Sequence, residues 1–99
     1  MRIAVSSDEK EVESEISMVS GRAKYYLIFE DNKLVKTLSN PFRIGGGGAG
    51  FGVAQMLEDE NVDLVISGKI GENMKRALDD RKMKYKEISG NIKEVISNE

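Results

Sequence analysis

Six of the eight residues from Gly45 to Gly52 are glycine, and no other segment of the chain is so plainly built for close approach to something else. Glycine loses more conformational entropy on folding than any other residue, so a run of it is a costly plain connector. In return it permits positive φ and lets backbone N–H groups come near a ligand. A helix-like pattern follows the run at once (Val53, Ala54, Leu57), and the unpaired N–H groups at a helix start favour an anion. Gly45, Gly46, Gly47, Gly48 and Gly50 are therefore candidate ligand contacts. Asn40 and Arg43 lead into the run, and the Arg43 guanidinium suits bidentate capture of an anion. Arg22, in Ser20-Gly21-Arg22-Ala23, has the same chemistry ahead of a strand. Ser67-Gly68-Lys69 repeats the strand–glycine–helix arrangement on a smaller scale. If the strands ending at Ser6 and Ser67 are parallel neighbours, Ser7 and Asp8 lie beside Ser67, Gly68 and Lys69 in the crevice where open α/β sheets bind ligands. Each has a plainer reading as well: turn chemistry for the glycines, pairing with nearby carboxylates for the arginines.

What is missing narrows the chemistry further. The 99 residues include no cysteine and no histidine. Disulfides, thiolate nucleophiles, imidazole bases, ordinary zinc sites and Cys-ligated iron–sulfur clusters are thereby excluded. The glycine run lacks the Lys-Ser/Thr ending of a phosphate-binding P-loop, and an intervening Asn-Pro loop separates it from a strand, unlike a dinucleotide turn. Asp8 and Glu9 have no second acidic cluster as a partner for a hard cation. No carboxylate, lysine or tyrosine forms a recognisable acid–base pair, so the chain reads as a non-enzyme. The net charge of -2, with both signs mixed, offers no broad field for nucleic acid. No apolar run approaches a membrane span and no signal pattern opens the chain, so cytoplasm is the expected location. One glutamine and no cysteine, beside many Lys and Glu, fit a thermophilic source.

One small α/β domain spanning 1–99 must position these groups. Arg2 to Ser6 is a β-branched run that reads as a strand buried on both faces. Lys24 to Glu30 is a second strand, Asp31-Asn32 a two-residue hairpin turn, and Lys33 to Leu38 a third strand with Leu34, Lys36 and Leu38 on one side. The helix after the glycines should end at Asn61 in a left-handed cap. Asp63 to Ser67 is a fourth strand, and Ile70, Met74, Ala77 and Leu78 carry helical spacing. Met83 to Lys86 alternates as an edge strand does, and Asn91 with Glu94 caps a final short helix. A hairpin followed by helical crossovers implies a mixed sheet covered by helices.

In order and spacing these pieces resemble the dinitrogenase iron–molybdenum cofactor biosynthesis family. The resemblance is carried by the Ile-Ala-Val strand, by Gly21-Arg22-Ala23 before Tyr25 to Phe29, and by Asn40-Pro41 ahead of Gly45 to Gly50. The run Val62 to Gly71, with Leu78 and Lys84-Tyr85, completes it. It implies a ribonuclease-H-like three-layer α/β/α fold with a mixed five-stranded sheet in the order 3-2-1-4-5, without nuclease activity. It also implies a small non-catalytic carrier of the iron–molybdenum cofactor or a precursor cluster, with cofactor-assembly proteins as partners. Members often carry His-Phe before Gly-Arg-Ala and histidines after Asn-Pro; here those places hold Val19-Ser20 and Phe42-Arg43-Ile44. An alternative cargo for the same loop is a small phosphate- or carboxylate-bearing metabolite. An enzyme using carboxylate and lysine chemistry is the third and weakest reading.

Overall fold

The computed structural model describes residues 1–44 and 49–99. Five strands, β1 (Arg2–Ser7), β2 (Tyr25–Glu30), β3 (Lys33–Ser39), β4 (Leu64–Ser67) and β5 (Lys84–Glu87), form one sheet in the order β3-β2-β1-β4-β5. The first three are antiparallel, while β1–β4 and β4–β5 are parallel. This is the mixed sheet the sequence predicts. Helices α1 (Ala49–Asp59) and α2 (Glu72–Asp80) are the crossovers, and α3 (Ile92–Ser97) closes the chain.

Local chemistry explains the turns. Asp31 and Asn32 take φ of 51° and 68°, the left-handed pair that a two-residue hairpin requires, and both residue types tolerate it. Asn61 ends α1 with φ 60°, and the next amide, Val62 N–H, bonds back to the Leu57 carbonyl at 3.2 Å. The Asn91 side chain accepts the Glu94 amide at 3.3 Å and so caps α3.

The strands alternate between two cores. Ala4, Tyr26, Ile28 and Val65 face α1 and α2, meeting Val53, Leu57, Met74 and Leu78. Ile3, Val5, Leu27, Phe29, Leu64 and Ile66 face the other way, toward Ile16, Ile92 and Ile96. The sheet is thus covered by helix on both sides, which is why β1, β2 and β4 read as continuous apolar runs.

β3 departs from its simple alternation. Ile28 pairs with Lys36 but Phe29 pairs with Leu34, so Val35 is an inserted residue at a β-bulge. Leu38, opposite Tyr26, packs on the α1–α2 side, whereas Leu34 lies opposite Phe29 on the α3 side. The expected placement of Leu34 and Leu38 on one side is therefore corrected: an extra residue reverses the parity of a period-2 pattern.

Candidate functional site

At the C-terminal ends of β1 and β4 the chain returns over the sheet through residues 16–24, and hydrogen bonds stitch this return to its neighbours. Ser17 N–H donates to the Ser6 carbonyl, and Gly68 N–H donates to the Ser17 carbonyl, both at 2.9 Å. Ser20 N–H donates to the Lys69 carbonyl at 2.9 Å. The expected crevice between β1 and β4 is thus filled by the chain itself. A β-carbon on Gly68 would stand 2.8 Å from both Met18 Cα and the Ser17 oxygen, so only glycine fits there. Beneath lies a polar anchor: the Ser20 hydroxyl bonds to the Tyr26 hydroxyl, which also donates to the Ser20 carbonyl at 2.7 Å. Burial pushes the Tyr26 phenol far above its ordinary value, against a smaller opposing effect of Ser20, so it stays protonated.

Asn40 ties the opposite flank. Its Nδ2 donates to the Gly21 carbonyl at 3.1 Å and the Ala23 carbonyl at 2.8 Å, while its Oδ1 accepts the Phe42 amide at 3.0 Å. The buried amide is fully engaged in holding the Gly21–Ala23 segment against the loop that enters the glycine run. Ala49, at the start of α1, abuts the same segment, its Cβ 3.8 Å from the place a β-carbon on Gly21 would occupy.

The sequence candidates divide accordingly. Arg22, Arg43 and Lys69 are exposed, and none forms an ion pair within the described residues. The segments bearing them are cross-linked by the Asn40 and Ser20 bonds just described. Ser67 and Ser7 are buried: Ser67 accepts from the Ser6 hydroxyl at 2.8 Å, and Ser7 accepts from Glu9 N–H at 3.1 Å. Asp8 is exposed, with Oδ1 accepting the Lys24 amide at 3.2 Å. Gly50 is a helix-crossing residue, since a β-carbon there would come 2.8 Å from Met74 Cβ. Gly45, Gly46, Gly47 and Gly48 lie outside the described residues.

Two features of this edge escape sequence reasoning. Glu87, at the end of β5, accepts Ile70 N–H at 2.8 Å and pairs with Lys75 at 3.3 Å. The Ile70 amide foremost, then Lys75, hold its carboxyl below the ordinary range, and Glu87 in turn raises Lys75. The strand order alone reveals that a residue so distant in sequence borders Lys69. The other feature is apolar: Met18, Val19 and Ile44 are exposed, 70%, 48% and 79% respectively. None of these three shows a sequence signal beyond an apolar residue inside a loop.

Exposed guanidinium and ammonium groups are the anion-attracting chemistry on these segments. Direct metal ligation is another matter, because no group of three metal-ligating side chains occurs among the described residues. No helix there is long and apolar enough to cross a membrane.

Comparison with solved structures places the fold among small proteins of the same topology. The apo form of the orange protein from Desulfovibrio gigas superposes with a TM-score of 0.89 at 20% identity, covering 98% of this chain and 84% of that one. The protein PH0822 gives 0.80 at 20% identity, covering 98% and 87%. A Thermotoga protein assigned to NifB and the DUF35 family, TM1290, gives 0.80 at 26% identity, covering 97% and 84%. No protein of curated function matches the sequence. The sequence profile described as "Dinitrogenase iron-molybdenum cofactor" matches residues 1–98, nearly the whole length over which the strands, the returning segment and the cationic edge have been traced. The chain belongs to the dinitrogenase iron-molybdenum cofactor family.

Proposed function

We propose that this chain is a non-catalytic carrier that grips an anionic metal–sulfur cofactor, the iron–molybdenum cofactor or a precursor cluster, at the edge bearing the glycine run. The observation that carries the proposal is that Arg22, Arg43 and Lys69, without ion pairs among the described residues, lie on three segments hydrogen-bonded to one another. Exposed cations without ion pairs, on a protein whose net charge is -2, are available to an anion. Cysteine and histidine are absent, so the cargo is held as a pre-formed anion. Its own organic-acid and sulfide groups meet guanidinium and backbone donors, with Gly45, Gly46, Gly47, Gly48 and Gly50 as the proposed backbone contacts. Asn40, Ser67, Gly68 and Ser7 shape this edge, and Asp8 borders it. The three-layer architecture is read as ribonuclease-H-like in arrangement only. Cofactor-assembly proteins are the natural source and recipients of such a cargo.

The test mixes purified protein with isolated iron–molybdenum cofactor under anaerobic conditions, followed by gel filtration and elemental analysis. Molybdenum and iron should co-elute with the chain in stoichiometric amount, and Arg22→Gln with Arg43→Gln should weaken retention by at least about tenfold, the scale of lost charge-assisted bonds. Failure of the native chain to retain metal rejects the carrier reading.

A second reading, a phosphate- or carboxylate-bearing metabolite as cargo, is favoured by the same absence of soft ligands. A thermal-shift series with nucleotides and organic acids separates the two. A ligand present at about 100 times its dissociation constant stabilises by about 2.7 kcal/mol, which a melting curve resolves.

A further inference from the structure

At the end of the sheet far from the cationic edge, a groove of about 360 Å³ opens between the β2–β3 hairpin and α3. Its floor is apolar, formed by Val12, Phe29, Leu34 and Ile96, and Lys33 and Lys93 stand on its rim. Both lysines are exposed and neither forms an ion pair among the described residues, whereas Lys36 on the same strand is held by Glu60 at 2.8 Å. β3 is the sheet's edge strand, so the backbone groups on its outer side have no partner strand among the described residues. An edge of this kind is a template for another strand.

Charge selects which strand. A second copy of this chain, pairing β3 antiparallel with β3 over its full length, would set Lys36 against the same lysine, and like charges directly opposite destabilise a pair. The bulge at Val35 adds twist against flat self-pairing. An acidic, apolar segment avoids the charge obstacle, and a short one can follow the edge on one side of the bulge.

We propose that the β3 edge and this groove form a docking site for an extended segment of a partner protein. The segment lays an apolar side chain over Leu34 and Phe29, and it presents carboxylates to Lys33 and Lys93. Strand addition of this type takes affinity from main-chain hydrogen bonds and specificity from pockets for alternate side chains. The Asp31–Asn32 turn beside the groove joins strands at the start of β1, whereas the cationic edge lies at its end. Docking here leaves that edge open to its ligand.

The test uses the full chain and a fluorescein-labelled octapeptide of alternating valine and glutamate, followed by anisotropy. Saturable binding is expected, and Lys33→Glu with Lys93→Glu should weaken it by at least about tenfold, the size of an effect from paired interface charges. The equally charge-changing pair Lys82→Glu and Lys84→Glu, outside the groove, should leave the affinity unchanged. The same peptide N-methylated at alternate residues should bind markedly more weakly. Absence of saturable binding overturns the proposal. So does equal binding of a valine–lysine peptide, an unaltered affinity in the Lys33→Glu, Lys93→Glu protein, or indifference to N-methylation. A concentration-dependent dimer that this charge-reversed pair strengthens would assign the groove to a second copy instead.

Discussion

Single side chains decide whether the two flanks of the cationic edge stay together, and Asn40 is the clearest of them. Each hydrogen bond contributes roughly 1 kcal/mol net, more when its loss leaves a buried partner unsatisfied. Asn40→Ala removes bonds to the carbonyls of Gly21 and Ala23 and to the amide of Phe42, so a loss of about 2–4 kcal/mol is expected in a urea titration. Asn40→Asp should be at least as damaging, because it keeps the acceptor for Phe42 but turns an oxygen toward two carbonyl oxygens. A neutral result for either would mean the loops hold their places by packing alone. Glu87 acts on the other flank, and its effect depends on pH. Its carboxyl is held below the ordinary 4.5 by the Ile70 amide and then by Lys75. A depressed folded-state value means that its stabilisation is complete above the ordinary carboxylate range and fades as pH falls from about 4.5 through the folded value. Glu87→Gln should lower the urea midpoint near neutrality and flatten its decline on the acid side. An unchanged acid limb would deny Glu87 that part.

Elements meet through contacts that glycine permits at some positions and merely tolerates at others. At Gly50, α1 crosses α2 so closely that an added β-carbon would stand 3.0 Å from the Met74 backbone nitrogen and Cα. Alanine gains about 1 kcal/mol in helix propensity, but backbone cannot give way as a flexible side-chain end can. Gly50→Ala should therefore destabilise by about 1–3 kcal/mol in spite of the propensity gain. Gly71, before α2, has φ -66°, and a β-carbon added there would meet nothing within 4 Å. Gly71→Ala should change stability by no more than about 0.5 kcal/mol, and comparing the two denaturation midpoints checks the pair. The same distinction marks what the sequence can disclose. Hairpin turn, helix caps and buried strands were legible because each depends on residues a few places apart: Asp31 beside Asn32, Asn61 after α1, Asn91 before Glu94. The bulge at Val35 was not, since it depends on how β3 registers against β2. Nor was the closure of the β1–β4 crevice by residues 16–20, where Ser17 bonds to Gly68, far along the chain, as well as to Ser6. The cationic edge lies between these cases. Its residue types were visible, while the linking of the segments that bear them needed Asn40 and Ser20 as ties.

Over the whole molecule, charge and composition set how a bound anion must behave. Without histidine or cysteine, no side chain has its ordinary titration between about pH 6 and 8. The cations proposed to hold the cargo are two arginines and a lysine, all exposed, so salt screens them freely. Affinity for isolated iron–molybdenum cofactor should accordingly stay level from about pH 6 to 8 and fall steeply as ionic strength rises, the Debye length shrinking from about 10 Å at 0.1 M to about 3 Å at 1 M. Treatment with a thiol-alkylating reagent should leave the protein's capacity untouched, provided excess reagent is removed before cofactor is added. A site built on thiolate or imidazole would give the opposite record: strong pH dependence near neutrality, loss on alkylation and weak sensitivity to salt. Equilibrium binding under these three conditions thus separates anion capture from metal ligation without any mutation. Retention that survives 1 M salt would overturn the electrostatic account even if metal remained bound, because exposed guanidinium and ammonium groups do not hold an anion against screening of that strength.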